Sequence, residues 1–338
     1  MKQVVIFRYL WNHEALAEAF QNLGYEIEVN PSNKDLEKYK PDEILCCIAN
    51  LHTEIKKPFT MLGLKQKLNA KHAPLIFWNR DGPSHMGDKW WRIWLVKHFK
   101  FLDIYATHTL QDAGHFADEV VYFPNAAWDS KYNLSGKTLQ DLRNKNAYSY
   151  DVSFIGSITY EKRPENYHRM VFFKKLQQRL ENTNIKFYIA ECENNLSLAQ
   201  QVEIIQKSKI NLSCAAGCDF RYQGGYHGEP FSFGLPERCY GIANCGGFLL
   251  SDHRPHSYDD FCENYDFVSF KNINECVEKI LYFCDDKNFD KLREIAENAY
   301  QTVNRKHLYK HRAEKLIEYV NYWKQKHKFL PVKMLYED

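Results

Sequence analysis

Two doubly wound α/β domains in tandem are the fold class that this 338-residue sequence predicts. Three observations lead there. The length suits two domains at about 100–200 residues each. Short apolar runs alternate with amphipathic stretches at strand–helix spacing, and they do so twice. Between the two alternating halves lies a polar stretch, residues 126–150, poor in branched apolar side chains.

In the first half, residues 1–125, the strands are predicted at 4–7 (VVIF), 25–29, 44–49, 74–79, 102–107 and 120–124. The run ILCCIA at 44–49 is apolar without interruption, as in a strand buried on both faces of a parallel sheet. Helices are predicted at 13–22, where Gly24 supplies the stop, and at 59–69, 88–98 and 110–116. After the linker at 126–150, the second domain is expected over 151–315. Its strands are 151–157, 185–190, 209–213, 246–251 and 266–270. Its helices are 165–181, with Pro164 in the first turn, then 197–207 and 234–244. From 273 the chain reads as nearly all helix (273–284, 288–304, 307–326), and the segment 316–338 is expected to return to the first domain. Ligands of such sheets bind beyond the carboxyl ends of the strands, so two facing sheets would place the active site in a cleft between them.

Hydrophobic residues make up 44% and charged residues 26%, ordinary for a globular protein with a large core. The net charge of +2 argues against a stable nucleic-acid partner, which a clear basic excess would mark. The ten cysteines are scattered, and the pair Cys214/Cys218 has no second pair at zinc spacing. Buried, reduced thiols are the expectation, and with them a cytoplasmic setting. MKQVVIFRYLWNH reads as a strand rather than a signal peptide, and no run approaches the ~18 apolar residues of a membrane span. A peripheral membrane contact stays open.

Chemistry-bearing residues cluster in the second half. FIGS (154–157) closes a strand and precedes a helix, whose first N–H groups and dipole favour an anion. Gly156 and Ser157 would form that phosphate turn, and Arg163 would pair with phosphate oxygens. Gly246 and Gly247 follow a helix and open a buried strand; one reading makes them a helix cap and a close-packing site. Arg238, early in helix 234–244, would hold phosphate bidentately, or else pair with Glu237 on the surface. The loop 251–255, with Asp252, emerges at a strand's carboxyl end. The long loop 214–234 carries Arg221, Tyr222, Tyr226 and His227, a lid or a surface insertion.

In the first half, Asp81 in a DGP turn and His13 after the first strand are the candidate acid–base residues. Each also has a structural reading, Asp81 as a turn residue and His13 as a helix-start residue. KWWRIWLVKHF (89–99) has its tryptophans at helical spacing, which favours core packing over a sugar-stacking or membrane-facing platform. KQKHK (324–328) reads as a solvated helix end.

FIGSITYEKR, SKINLS, RCYGIANCGGFLLSDHRP and LREIAENAYQTVNRKHLYKHR, in this order over residues 151–320, resemble the glycosyltransferase-like family that includes the spore maturation protein CgeB. FWNRDGPSH (77–85) is similar to a loop of that family's first domain. The resemblance implies a GT-B glycosyltransferase: two Rossmann-like doubly wound domains facing a cleft, the first for the acceptor and the second for a nucleotide sugar. It implies no cofactor and no metal, with a UDP-sugar as donor and a hydroxyl of a glycan, glycolipid, protein or modified nucleobase as acceptor. Donor contacts would fall on Gly156, Ser157, Arg163, Arg221, Glu237, Arg238, Tyr240, Gly246, Gly247 and Asp252.

One departure stands out. Many GT-B enzymes place a Glu about five residues before this glycine motif, on the nucleotide ribose, and here that position is Gly241. Glu237 lies one turn earlier, and with Glu229 it has the E-x7-E spacing of retaining families. This departure suggests one alternative, a GT-B-fold binding protein without catalysis; a GT-B-fold nucleotide-sugar epimerase is a separate one.

Overall fold

The computed structural model describes residues 3–10, 13–32, 34–50, 54, 57–80, 90–110, 113–159, 161, 166–190, 196–216 and 233–329. The chain folds into two compact units, Met1–Pro124 with Tyr309–Asp338, and Asn125–Leu308.

Among the described residues of the first unit, six parallel strands form one sheet. They are β1 (Val4–Phe7), β2 (Glu26–Val29), β3 (Ile44–Ala49), β4 (Leu75–Asn79), β5 (Ile104–Thr107) and β6 (Glu119–Tyr122), in the order β2-β1-β3-β4-β5-β6. Every residue of β1, β3, β4 and β5 is buried, which is why their sequences are continuously apolar rather than alternating. The helices are α1 (Glu14–Asn22), α2 (Pro58–Asn69) and α3 (Trp90–His98). α1 buries Leu16, Ala17, Ala19 and Phe20, a stripe at helical spacing. Where a helix is expected at 110–116, the described residues hold a 3-10 turn, Ala113–His115. The core reading of the tryptophans on α3 is corrected for two of them: Trp91 and Trp94 are 43% and 54% exposed, while Val96 is buried.

The second unit holds a five-stranded parallel sheet among its described residues. Its strands are β7 (Tyr150–Ile155), β8 (Phe187–Ala190), β9 (Ser208–Ser213), β10 (Leu249–Asp252) and β11 (Val268–Phe270), in the order β11-β10-β9-β7-β8. The helices are α4 (Tyr167–Leu180), α5 (Leu198–Gln206), α6 (Glu237–Asn244), the short α7 (Ser257–Asp260), α8 (Ile273–Cys284) and α9 (Phe289–Lys306). Local sequence sets their starts. Ser197 and Gln200 form a reciprocal capping box on α5, and the Asn272 side chain accepts from the N–H groups of Asn274 and Glu275 at the start of α8.

The stretch expected as a linker, 126–150, groups with the second unit. Its polar composition hides a few anchors: Ala126, Ala127 and Leu142 are buried, and Tyr132 packs against the core of that unit. The last helix, α10 (Tyr309–Lys326), begins at 309 and packs on α1 in the first unit. Lys324 there departs from the expected solvated end. It is 2% exposed, 3.5 Å from Asp42 Oδ1, and donates to the Ile44 carbonyl. No described helix is long and apolar enough to cross a membrane. The described cysteines are free thiols, most of them buried, with Cys262 exposed.

Candidate functional site

The strand order of the second sheet reverses between β7 and β9, and open α/β sheets bind ligands in the crevice beyond the carboxyl ends at such a reversal. Gly156 is the first residue after β7 and sits at that place. A side chain does not fit there: a Cβ on Gly156 would lie 2.8 Å from Arg238 Nη1 and 2.8 Å from the Phe154 ring.

Arg238 comes from the first turn of α6. Pro236 caps that helix, and its carbonyl accepts from the Cys239 N–H at 3.0 Å. Its guanidinium carbon lies 5.6 Å from the centre of the Phe154 ring. Arg169 of α4 lies 5.6 Å from the same ring. Its Nη1 donates to the Ser157 carbonyl at 2.9 Å and to Asn166 Oδ1 at 3.2 Å. Asn166 in turn donates to Ser157 Oγ (3.3 Å) and to the Thr159 carbonyl (3.0 Å), and the Ser157 and Thr159 hydroxyls pair at 3.0 Å. The turn after Gly156 is thus held by its own polar network before any ligand arrives.

Arg254, next to this edge, is 2% exposed. It donates to Asp252 Oδ1 through Nε (3.0 Å) and Nη2 (2.7 Å), and to the Gly234 carbonyl (2.9 Å). The other Asp252 oxygen accepts from the Ala215 N–H at 3.0 Å. Burial works against the Arg254 charge, yet the Asp252 carboxylate keeps its pKa above the ordinary arginine value. Asp252 therefore ties 215, 234 and 254 to the end of β10, a bracing role beside the site.

The thiols report how the arginine charges converge. Burial pushes Cys214 up to about 12, and Asp252 adds to it, while Arg169 and Arg254 pull the other way. Burial also raises Cys239, opposed by Arg254, by its hydrogen bond to Ser213 and by Arg238. Arginines from α4, α6 and the loop after β10 all act at the carboxyl edge of β9 and β10. Guanidinium groups so gathered can hold an anion with several oxygens, though Arg254 already pairs with Asp252.

Several expected donor contacts lie elsewhere. Gly246 and Gly247 precede the amino end of β10, opposite to Gly156 along the strands. Gly246 has φ +73°, its N–H bonds to the Ala243 carbonyl, and the Gly247 N–H bonds to the Ile242 carbonyl. That is the Schellman ending of α6. A Cβ on Gly246 would meet Leu142 at 2.6 Å, and one on Gly247 would meet Ile205 at 2.8 Å. The pair serves packing, not the donor. Tyr240 is likewise fully buried and donates to Asp260 Oδ2 at 2.5 Å. Gly241 faces the Tyr132 ring, 3.1 Å from where its Cβ would be, so the missing Glu reflects close packing at a buried position. Glu237 is the first residue of α6, half-buried, one residue before Arg238.

His13 is 1% exposed, stacks on Trp78 at 5.2 Å, and its Nδ1 is buried without a hydrogen-bond partner. Burial first, and Arg80 second, lower its pKa to about 3. An imidazole so enclosed stays neutral and does not meet an acceptor hydroxyl. Asp81, Arg163, Arg221, Tyr222, Tyr226, His227 and Glu229 lie outside the described residues. Sequence reasoning missed Arg169 and Arg254; their only sequence signal is an arginine near the start of the helix after the glycine turn, and one in the loop after β10.

A glycosyl transferase-like family model matches residues 137–318, more than half of the chain. No curated protein matches the chain. Solved structures share its fold at low identity. HepE of Anabaena, in complex with UDP, aligns with TM-score 0.57 at 10% identity, over 95% of this chain and 100% of that one. Sucrose-phosphate synthase of Thermosynechococcus elongatus aligns with TM-score 0.61 at 9% identity, over 97% and 100%. A UDP-forming α,α-trehalose-phosphate synthase of Burkholderia vietnamiensis aligns with TM-score 0.63 at 9% identity, over 97% and 99%. The two-domain α/β architecture is therefore the GT-B fold.

Proposed function

Because the chain belongs to the glycosyl transferase-like family, we propose that the carboxyl edge of its second sheet holds the diphosphate of a UDP-sugar, whose sugar it transfers to an acceptor hydroxyl. The observation that carries this reading is the Arg238 guanidinium lying against the Gly156 turn at the strand-order reversal. In the transfer, the bond from the anomeric carbon to the diphosphate breaks and one to the acceptor oxygen forms. UDP leaves with the electron pair, and the acceptor proton is released. Arg238 and Arg169 are set where that negative charge grows. The same groups meet it in the donor, so their contribution to rate is the part that strengthens as the bond breaks.

UDP is favoured as the nucleotide because HepE is described with UDP and with UDP-glucose, and the trehalose-phosphate synthase as UDP-forming. Within the family, the run RCYGIANCGGFLL supports a place in the CgeB-like branch. The acceptor is a hydroxyl of a glycan, glycolipid, protein or modified nucleobase. Buried, reduced thiols fit a cytoplasmic setting. The inactive alternative drew on Gly241, and the contact with Tyr132 removes that motive. A thermal-shift panel of nucleotides and nucleotide sugars tests the proposal. UDP and UDP-sugars raise the melting temperature, and Arg238→Ala removes most of that rise. A panel with no stabilising nucleotide overturns it.

A further inference from the structure

Phe154 opens the run FIGS, whose Gly156 and Ser157 form the turn at the strand-order reversal. A strand buried on both faces accepts any branched apolar side chain, so burial alone does not call for an aromatic one there. Along β7, residues two apart share a face. Val152 and Phe154 pack in one core cluster and Ile155 in another. Gly156 continues the face of Val152 and Phe154. The ring lies along that face towards the glycine: a Cβ on Gly156 would stand 2.8 Å from Phe154 Cζ and 3.0 Å from Cε1. Phenylalanine and glycine therefore act as one unit, because a ring laid down this way leaves room only for hydrogen at 156.

The ring has charged neighbours as well as apolar ones. Phe154 is 1% exposed, and its ring meets that of Phe173 at 4.4 Å between centroids, tilted by 46°. The guanidinium carbons of Arg238 and Arg169 each lie over it, both 5.6 Å from its centre. Arg238 belongs to α6 and Arg169 to α4, so cations from two helices meet at one side chain of β7. Both arginines are half-buried, where the negative face of a ring attracts a guanidinium more than it does in open water. The same attraction offsets the repulsion between two like charges. A leucine would fill the core beside Phe173, but it would offer the guanidiniums no such face.

We infer that Phe154 is a positioning residue of the anion site: its ring holds Arg238 and Arg169 at the carboxyl edge of β7 before the donor arrives. Phe154 is buried and acts through the two arginines. The diphosphate then meets cations already in place, and less side-chain freedom is lost on binding. The inference rests on the reading of this edge as the diphosphate site of a UDP-sugar.

Calorimetric titration of UDP into full-length proteins altered only at 154 tests it. Phe154→Leu keeps an apolar side chain and removes the ring face. A loss of about 3–30-fold in UDP affinity is expected. Site-specific replacement of Phe154 by a difluorinated and then a pentafluorinated phenylalanine keeps the ring and drains its face of negative charge. UDP affinity should fall stepwise with fluorine number, while the melting temperature without ligand changes little. This series carries the test if Phe154→Leu melts early, because a ring that only fills the core does not respond to its electron density. Fluorinated proteins that bind UDP as tightly as wild type overturn the inference, and so does an unchanged affinity in Phe154→Leu. Either result leaves the donor reading standing, since the wild-type protein binds. Wild-type protein that binds no UDP removes the donor reading and this inference with it.

Discussion

The two sheets of this protein share one pattern of strand order, first strand between second and third, yet their reversal points carry opposite electrostatics. In the first unit, the residue after β1 is Arg8, and its Nε lies 3.1 Å from Glu54 Oε1, with Glu54 only 3% exposed. In the second unit, the residue after β7 is Gly156, and the nearby Arg238 makes no ion pair among the described residues. The shared topology sets where a ligand would sit; the local charges decide whether an anion is welcome. One reversal has its cation neutralised internally. At the other, Arg238 lies against the Gly156 turn, where we propose that the donor diphosphate binds.

The largest effect should come from opening the closed reversal. Glu54→Ala leaves the Arg8 guanidinium with its partner gone and 18% of its side chain exposed. A loss of about 2–4 kcal/mol in unfolding free energy is expected, read by denaturant titration. The affinity of the folded protein for UDP should not change. If UDP affinity falls with it, the contrast between the two reversals is broken.

Crowding the open reversal comes next. Gly156→Ala sets a methyl 2.8 Å from the buried Phe154 ring and from the Arg238 guanidinium. Overpacking of this kind costs about 1–3 kcal/mol. Here the guanidinium must also move, so UDP binding weakens beyond what the stability loss explains. Calorimetry on protein that is still folded separates the two. Unchanged UDP affinity would place the ligand elsewhere.

The smallest effect, just below pH 6.5, concerns His13 in the first unit. Its folded pKa, about 3, lies below the ordinary 6.5, because burial disfavours the charged ring. The unfolded chain therefore takes up the proton first. The stabilisation is whole above pH 6.5 and is lost as pH falls towards 3. One pH unit below 6.5 the loss is about 1.4 kcal/mol. His13→Phe keeps an aromatic ring on Trp78 and removes the titration, so its stability should depend less on pH over that window. Parallel pH profiles for the two proteins would show that His13 is exposed to solvent.

Much of the fold was legible because strands buried on both faces advertise themselves. Ile44–Ala49 and Leu75–Asn79 are apolar almost throughout, and both lie inside the first sheet. The Gly156 turn was legible as a glycine and a serine after a strand. Arg169 was not, because its meaning depends on Phe154 and on the Ser157 carbonyl, contacts made only once α4 packs on the sheet. Helical spacing showed that Trp91 and Trp94 share a face but not which way the face points, and Val96 takes the inward position. Lys324 looked solvated because its partners, Asp42 and the Ile44 carbonyl, lie at the other end of the chain. The glycine pair at 246–247 allowed both a packing and a ligand reading. The positive φ and the reach of Leu142 towards the Gly246 α-carbon decide for packing.

Calorimetric titration of UDP into the wild-type and Arg238→Ala proteins, side by side, addresses the central claim most directly. The wild-type protein should bind one UDP. The variant should keep its melting temperature without ligand and lose about 10–100-fold in affinity, the worth of a charge-assisted contact of about 1.4–3 kcal/mol. Equal affinity in the two proteins would contradict the assignment of the Gly156 turn and Arg238 to the donor diphosphate.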